Sequence, residues 1–245
     1  MNKDITYLHI KRALETAKEC FLCTFEDELE RKYVNTYLHE LVMDASSRQK
    51  IIESRGFCNH HSYKMLIEAS KPESSDGHGM ALVMKSVIEQ LIQDIHKQSK
   101  KIKEPAKIER EVSQILSNDE RCPACIRIDE FILMYIKEFL EILSKDDYTF
   151  LKLFSESMGF CLPHYATVLD VALNRSSLFS KVVKLIVNVE ETNLRKIDEQ
   201  LAEYIRRQDY RSKEKPDEEV IFGAVSKLVG RRGARPILLH KDYLI

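Results

Sequence analysis

Apolar positions along the chain recur at intervals of three and four. Between 80 and 95 they fall at Met80, Val83, Met84, Val87, Ile88, Leu91, Ile92 and Ile95. That spacing puts side chains on one face of an α-helix. A second run holds Ile128, Phe131, Ile132, Tyr135, Ile136, Phe139, Leu140 and Leu143. A third runs through Leu178, Val182, Leu185, Ile186, Val189, Ile197, Leu201, Tyr204 and Ile205. No segment alternates apolar and polar residues between hairpin turns, so the pattern predicts helices and no sheet.

Punctuation agrees. Thr24-x-x-Asp27 and Ser144-x-x-Asp147 read as capping boxes that open helices. Pro105 and Pro163 suit a first helical turn, where the missing amide hydrogen costs nothing. Gly56 and Gly159 are placed to end short helices in the left-handed conformation. Residues 71–79 read as a loop and 209–219 as a charged linker.

The chain also repeats itself. Cysteines at 20, 23 and 58 recur about one hundred positions later at 122, 125 and 161. Glu53-Ser-Arg-Gly-Phe-Cys-Asn-His-His61 aligns with Glu156-Ser-Met-Gly-Phe-Cys-Leu-Pro-His164, and Asp27-Glu28, Tyr33 and Leu41 align with Asp129-Glu130, Tyr135 and Leu143. A single one-residue gap keeps both motifs and their spacer in phase, which marks a duplication. The expected organisation is a first repeat over 1–104, a second over 105–210, and a flexible linker with a basic tail over 211–245.

Composition narrows the setting. Of 245 residues 31% are charged, yet 38 basic and 39 acidic side chains nearly cancel, so bulk charge selects neither nucleic acid nor an anionic membrane. The N-terminus lacks the basic and apolar regions of a secretory signal. No uncharged apolar run reaches the roughly 18 residues that span a bilayer. A cytoplasmic protein without membrane association is therefore expected. In that reducing setting the six cysteines point to metal ligation or redox chemistry rather than to disulfides.

Thiolate and imidazole are the donors that tetrahedral zinc prefers, and two of them three positions apart can chelate one ion. Each repeat supplies two such pairs: Cys20, Cys23, Cys58 and His61 in the first, and Cys122, Cys125, Cys161 and His164 in the second. Every cysteine is used. Two zinc ions in structural Cys3His sites are the favoured reading, because four protein ligands leave no open coordination position. Iron–sulfur clusters and a redox dithiol, suggested by Cys122-Pro-Ala-Cys125, are the alternatives. Ligation within each repeat is expected, since the ancestor of a duplication would have been complete by itself. A helix from about Thr24 to Met43 carries the chain roughly 30 Å from the first pair, however, so ligation across the repeats stays open. His61 is preferred over His60 because only His61 keeps the spacing of His164.

On these motifs, from Cys20/Cys23 and Gly56-Phe57-Cys58-x-x-His61 to Cys122/Cys125 and Gly159-Phe160-Cys161-Leu162-Pro163-His164-Tyr165, the chain resembles a family of unknown function from anaerobic bacteria and archaea. The resemblance spans about residues 10–205 and departs at Ser62, where the second repeat has Tyr165. It implies metal binding and no particular activity.

Weaker features read as structure. His39-Glu40-Leu-Val-Met43 lacks the second histidine of a helical zinc-protease motif, and Gly77-His-Gly79 lacks the strand and third glycine of a dinucleotide loop. Glu26-Asp27-Glu28 and Glu190-Glu191 read as solvated helix charges. From Lys227 onward Arg231, Arg232, Arg235 and Lys241 oppose only Asp242, a basic tail that could order on a protein or RNA partner. The whole reads as an all-α, duplicated, metal-stapled and non-catalytic interaction module with a protein partner; a redox sensor or an RNA- or ribosome-associated factor are the other readings.

Overall fold

The structure is a computed structural model that describes residues 5–17, 19–71, 77–99, 121–145, 147–173, 180–208 and 217–231. Among these residues the protein is all-helical: α1 (Ile5–Thr16), α2 (Phe21–Thr36), α3 (Ala45–Glu53), α4 (Asn59–Ala69), α5 (Gly77–Ser99), α6 (Pro123–Ser144), α7 (Tyr148–Ser155), α8 (Leu162–Leu173), α9 (Ser180–Arg207) and α10 (Glu219–Val229). One π-wound turn, Tyr37–Leu41, extends α2. No helix among the described residues is long and apolar enough to cross a membrane.

The chain divides into two compact units that do not coincide with the sequence repeats. One combines Met1–Asp27 with Phe131–Arg232, and the other is built around Glu28–Glu130. Both divisions fall inside long helices, α2 and α6, so each unit draws on both repeats.

In the first unit the core is aromatic. Phe21, Phe139, Phe150, Phe154 and Phe160 are each at most 1% exposed, and Phe139 meets Phe154 edge-on at 5.0 Å and Phe160 at 5.4 Å. Offset and edge-to-face contacts of this kind add to the burial free energy of the rings. Phe21 pairs with Phe139 and Phe25 with Tyr135. Residue numbers rise on one helix as they fall on the other, so α2 and α6 pass each other antiparallel here. The second unit buries Val34, Tyr37, Leu38, Ile51, Phe57, Met65, Val83 and Val87 with Cys122 and Ala124.

Local chemistry explains several helix ends. Asp147 caps α7 by accepting from the backbone N–H groups of Thr149 and Phe150, and Asp44 caps α3 through Ser47. Gly56 and Gly159 take φ of 99° and 62°, as their positions before the third cysteine of each repeat require. Three expectations differ from the structure. Thr24 lies inside α2 rather than at its cap, because α2 already begins at Phe21. Ser144 ends α6. Gly77 to Gly79 already belong to α5. The expected linker 209–216 and Pro105 lie outside the described residues.

The C-terminal region departs furthest from the sequence reading. Lys227 was expected in a flexible basic tail, yet it sits on α10 and is 7% exposed. Its ammonium lies 2.6 Å from Glu190 Oε2 and donates to the Met158 carbonyl at 3.0 Å. A buried carboxylate partner, not solvent, satisfies this charge. Arg231 Nε lies 3.3 Å from Glu19 Oε2; Arg232, Arg235 and Lys241 lie outside the described residues.

Candidate metal centres

All eight predicted ligands gather into two groups, each within one unit. Site 1 holds Cys20, Cys23, Cys161 and His164; site 2 holds Cys58, His61, Cys122 and Cys125. Each therefore combines the Cys-x-x-Cys of one repeat with the Cys-x-x-His of the other. The expected grouping within each repeat is corrected. Its reason is the length of α2 and its π-wound turn, which carry the chain roughly 30 Å away from Cys23 at about 1.5 Å per residue. The return segment is mostly α3, nine helical residues, too short to bring Cys58 back. Cys58 instead meets the pair that opens α6.

One local design serves all four ligand pairs. Cys20, Cys58, Cys122 and Cys161 each immediately precede a helix, and Cys23, His61, Cys125 and His164 are each the third residue of that helix. A spacing of three places both donors on one face. Gly-Phe-Cys adds an anchor to this arrangement. The glycine turns the backbone, the phenylalanine enters the core, and the cysteine is left at the site. Phe160 packs on Phe21 and Phe154 in the first unit, and Phe57 lies edge-on to Tyr37 at 5.1 Å in the second.

Donor distances fit one tetrahedral ion per site. In site 1 the sulfurs of Cys23 and Cys161 are 3.6 Å apart, and His164 Nδ1 is 3.5, 3.5 and 3.2 Å from the sulfurs of Cys20, Cys23 and Cys161. In site 2 Cys58 and Cys125 sulfurs are 3.8 Å apart, and His61 Nδ1 is 3.2, 3.6 and 3.4 Å from Cys58, Cys122 and Cys125. Bonds of about 2.3 Å to sulfur and 2.0 Å to nitrogen imply edges of about 3.8 and 3.5 Å. All six cysteines are free thiols, at separations far beyond the roughly 2.05 Å of a disulfide.

The second imidazole nitrogen faces a carboxylate in both sites. His164 Nε2 lies 3.6 Å from Glu26 Oε1, and His61 Nε2 lies 3.1 Å from Glu30 Oε1. Partners of this kind orient a ligating histidine and fix its tautomer. Glu26 is thus no solvated helix charge, contrary to the sequence reading. Glu30, 7% exposed, also meets His60 Nε2 and the Lys64 ammonium. His60 therefore faces the carboxylate, and His61 faces the sulfurs. Sequence reasoning missed both glutamates, although Glu26 stands one helical turn after Cys23 and Glu30 one turn after Glu26.

The neighbouring donors set one another's proton affinities. Burial pushes the Cys20 thiol well above its usual range, reinforced by the neighbouring Cys161 and Cys23. Hydrogen bonds from Cys20 and Cys23 hold Cys161 far below the thiol range, with help from His164. Burial pulls the His164 imidazole down, but Cys161, Cys23 and Glu26 together push it up to about 12. In site 2 the Cys125 thiol is the largest influence holding Cys122 down to about 3, and burial opposes it. His61 is raised because its contacts with Cys122 and Cys58 outweigh burial. Each site thus concentrates shared protons on soft donors that a divalent ion would displace.

Site 1 has further support. Glu190, expected on a solvated face, is 2% exposed and accepts from the Phe160 backbone N–H while paired with Lys227. Asn193 donates to the Ser157 carbonyl at 3.1 Å. α9 and α10 thereby clamp the Gly-Phe-Cys turn, and a Cβ at Gly159 would collide with Glu190. Removing one partner of such a buried pair costs about 3–5 kcal/mol. In the first repeat Gly56 has nothing within 4 Å of its Cβ position.

A match over residues 1–228 decides the family. The chain belongs to the family of unknown function DUF6062. The matched span includes all eight donors, both glutamates and Lys227, so most of α10 belongs to the family region that the sequence resemblance had ended near 205. No curated protein and no solved structure matches the chain.

Proposed function

We propose that this DUF6062 protein is a structural zinc protein, in which two Cys3His ions staple an all-helical, non-catalytic scaffold that presents its surfaces to a protein partner. The observation that carries the reading is the closure of both sites. Each brings four soft donors to tetrahedral edge distances, and an ion held by four protein ligands has no position left for a substrate water. Sulfurs 3.6 and 3.8 Å apart suit ligands of a single ion better than ligands of separate irons in a cluster. The ligands join segments distant in sequence, so zinc would contribute directly to folding; structural sites are worth on the order of 10 kcal/mol. Anaerobic chelation followed by circular dichroism tests this. Helicity and thermal stability should fall on zinc removal and return with zinc but not with magnesium. Unchanged melting after complete removal would contradict the structural role.

A further inference from the structure

The two sites differ in how solvent reaches their sulfurs. In site 2 Cys58 and Cys125 are half-buried. In site 1 all three cysteines are buried. They line the inner end of a cavity of about 200 Å³, whose walls include Met158, Gln200 of α9 and Gly223 of α10. The outer end is marked by the exposed residues Gln200, Asp217 and Glu219. The cavity has room for a cation with several of its waters, each of which takes about 30 Å³ in the liquid.

Charge along this passage favours a cation. Asp217 and Glu219 stand at the exposed end. Farther in, Lys227 is neutralised by Glu190, and Glu19 is paired with Arg231. At the end of α10 the backbone presses on the site: a Cβ at Gly230 would lie 3.3 Å from Cys161 Sγ and 3.9 Å from Cys23 Sγ. We propose that this cavity is the port through which a divalent cation enters and leaves site 1, with α10 as its wall. The port rests on the metal reading above. It adds that the two sites exchange their ions by different routes, site 2 past its half-buried cysteines and site 1 beneath α10.

Gly223 supplies the test, because it lines the cavity and has nothing within 4 Å of its Cβ position. Zinc-loaded full-length protein is mixed with excess EDTA and saturating N-ethylmaleimide, and alkylation of each cysteine is followed by mass spectrometry. Metal-free protein provides the reference for reagent access. In the wild type Cys58, Cys122 and Cys125 should label first. Gly223→Leu should slow labelling of Cys20, Cys23 and Cys161 by on the order of tenfold and leave site 2 unchanged, as expected when bulk fills this passage. The surface double variant Asp217→Asn/Glu219→Gln, which leaves packing untouched, should slow zinc reloading of site 1 several-fold at low salt and less at high salt. Unchanged site 1 rates in the double variant, or in a Gly223→Leu protein of normal zinc content and helicity, would overturn the port. Labelling of all six cysteines before chelator is added would overturn the metal reading as well.

Discussion

The sulfurs of Cys23 and Cys161 lie 3.6 Å apart although 138 residues separate them in sequence. That contact makes each site a junction between repeats: the start of α2 meets the start of α8, and the start of α6 meets the start of α4. The two ligand pairs of each sequence repeat therefore belong to different sites.

Cys161→Ser distinguishes this arrangement from ligation within each repeat. The variant should lose one zinc equivalent and expose Cys20 and Cys23 to alkylation, while Cys122 and Cys125 stay protected. Protection of Cys20 and Cys23 with exposure of Cys122 and Cys125 would restore the within-repeat pairing.

The clamp behind site 1 predicts unequal glycines. Gly159→Ala places a Cβ against Glu190 at a φ of 62°, and should cost about 2 kcal/mol or more in urea denaturation of the zinc-loaded protein. Gly56→Ala has open space but a φ of 99°, beyond the left-handed well, so its cost is backbone strain alone, about 1–3 kcal/mol. In a Glu190→Ala background the Gly159→Ala loss should shrink and the Gly56→Ala loss should not; an unchanged Gly159→Ala loss would show that the Glu190 clamp does not hold the turn.

Glu30 and His60 separate an outer-shell role from ligation. Glu30→Gln weakens the partner of His61 and should lower zinc affinity of site 2 by about 10–100-fold, read by competition with a chromophoric chelator. His60→Ala should leave zinc content unchanged, because its imidazole faces Glu30 rather than the sulfurs. Loss of an equivalent on His60→Ala would make His60 a ligand.

Zinc binding at site 1 should become tighter as pH rises. In the metal-free protein burial keeps the proton on Cys20, and the thiolate and carboxylate neighbours keep one on His164, whose pKa is about 12. Both protons must leave when the ion binds, so mass action favours binding at higher pH, by about 10-fold per unit for each proton released. Calorimetry in buffers of different ionisation enthalpy counts them. Proton uptake on binding would contradict this account of the site.

The all-helical class was legible because burial in helices follows a period near 3.6: Ile128, Ile132, Ile136, Phe139 and Leu143 are all buried as their spacing implies. Both ligand pairs of each repeat were legible for a local reason, the first turn of a helix. Their partners were not, since spacing specifies chelating pairs and cannot say which two pairs meet. That choice belongs to the lengths of α2 and α3. Glu26 and Glu190 read as solvated charges, and Glu30 carried no signal, because an acid on a helix looks alike whether solvent or a buried partner faces it. Lys227 carried a usable signal: it is the only basic residue within Glu219–Val229, an otherwise largely apolar helix. The run Ile88, Ile92, Ile95 on α5 shows the limit of periodicity, for all three are exposed despite their helical phase.

Elemental analysis joined to a visible spectrum, on full-length protein purified without oxygen, tests the central claim most directly. Two equivalents of zinc per chain and no visible absorption are the predicted result. Iron with sulfide and a brown spectrum, or stoichiometric absence of metal with six reactive thiols, would contradict it.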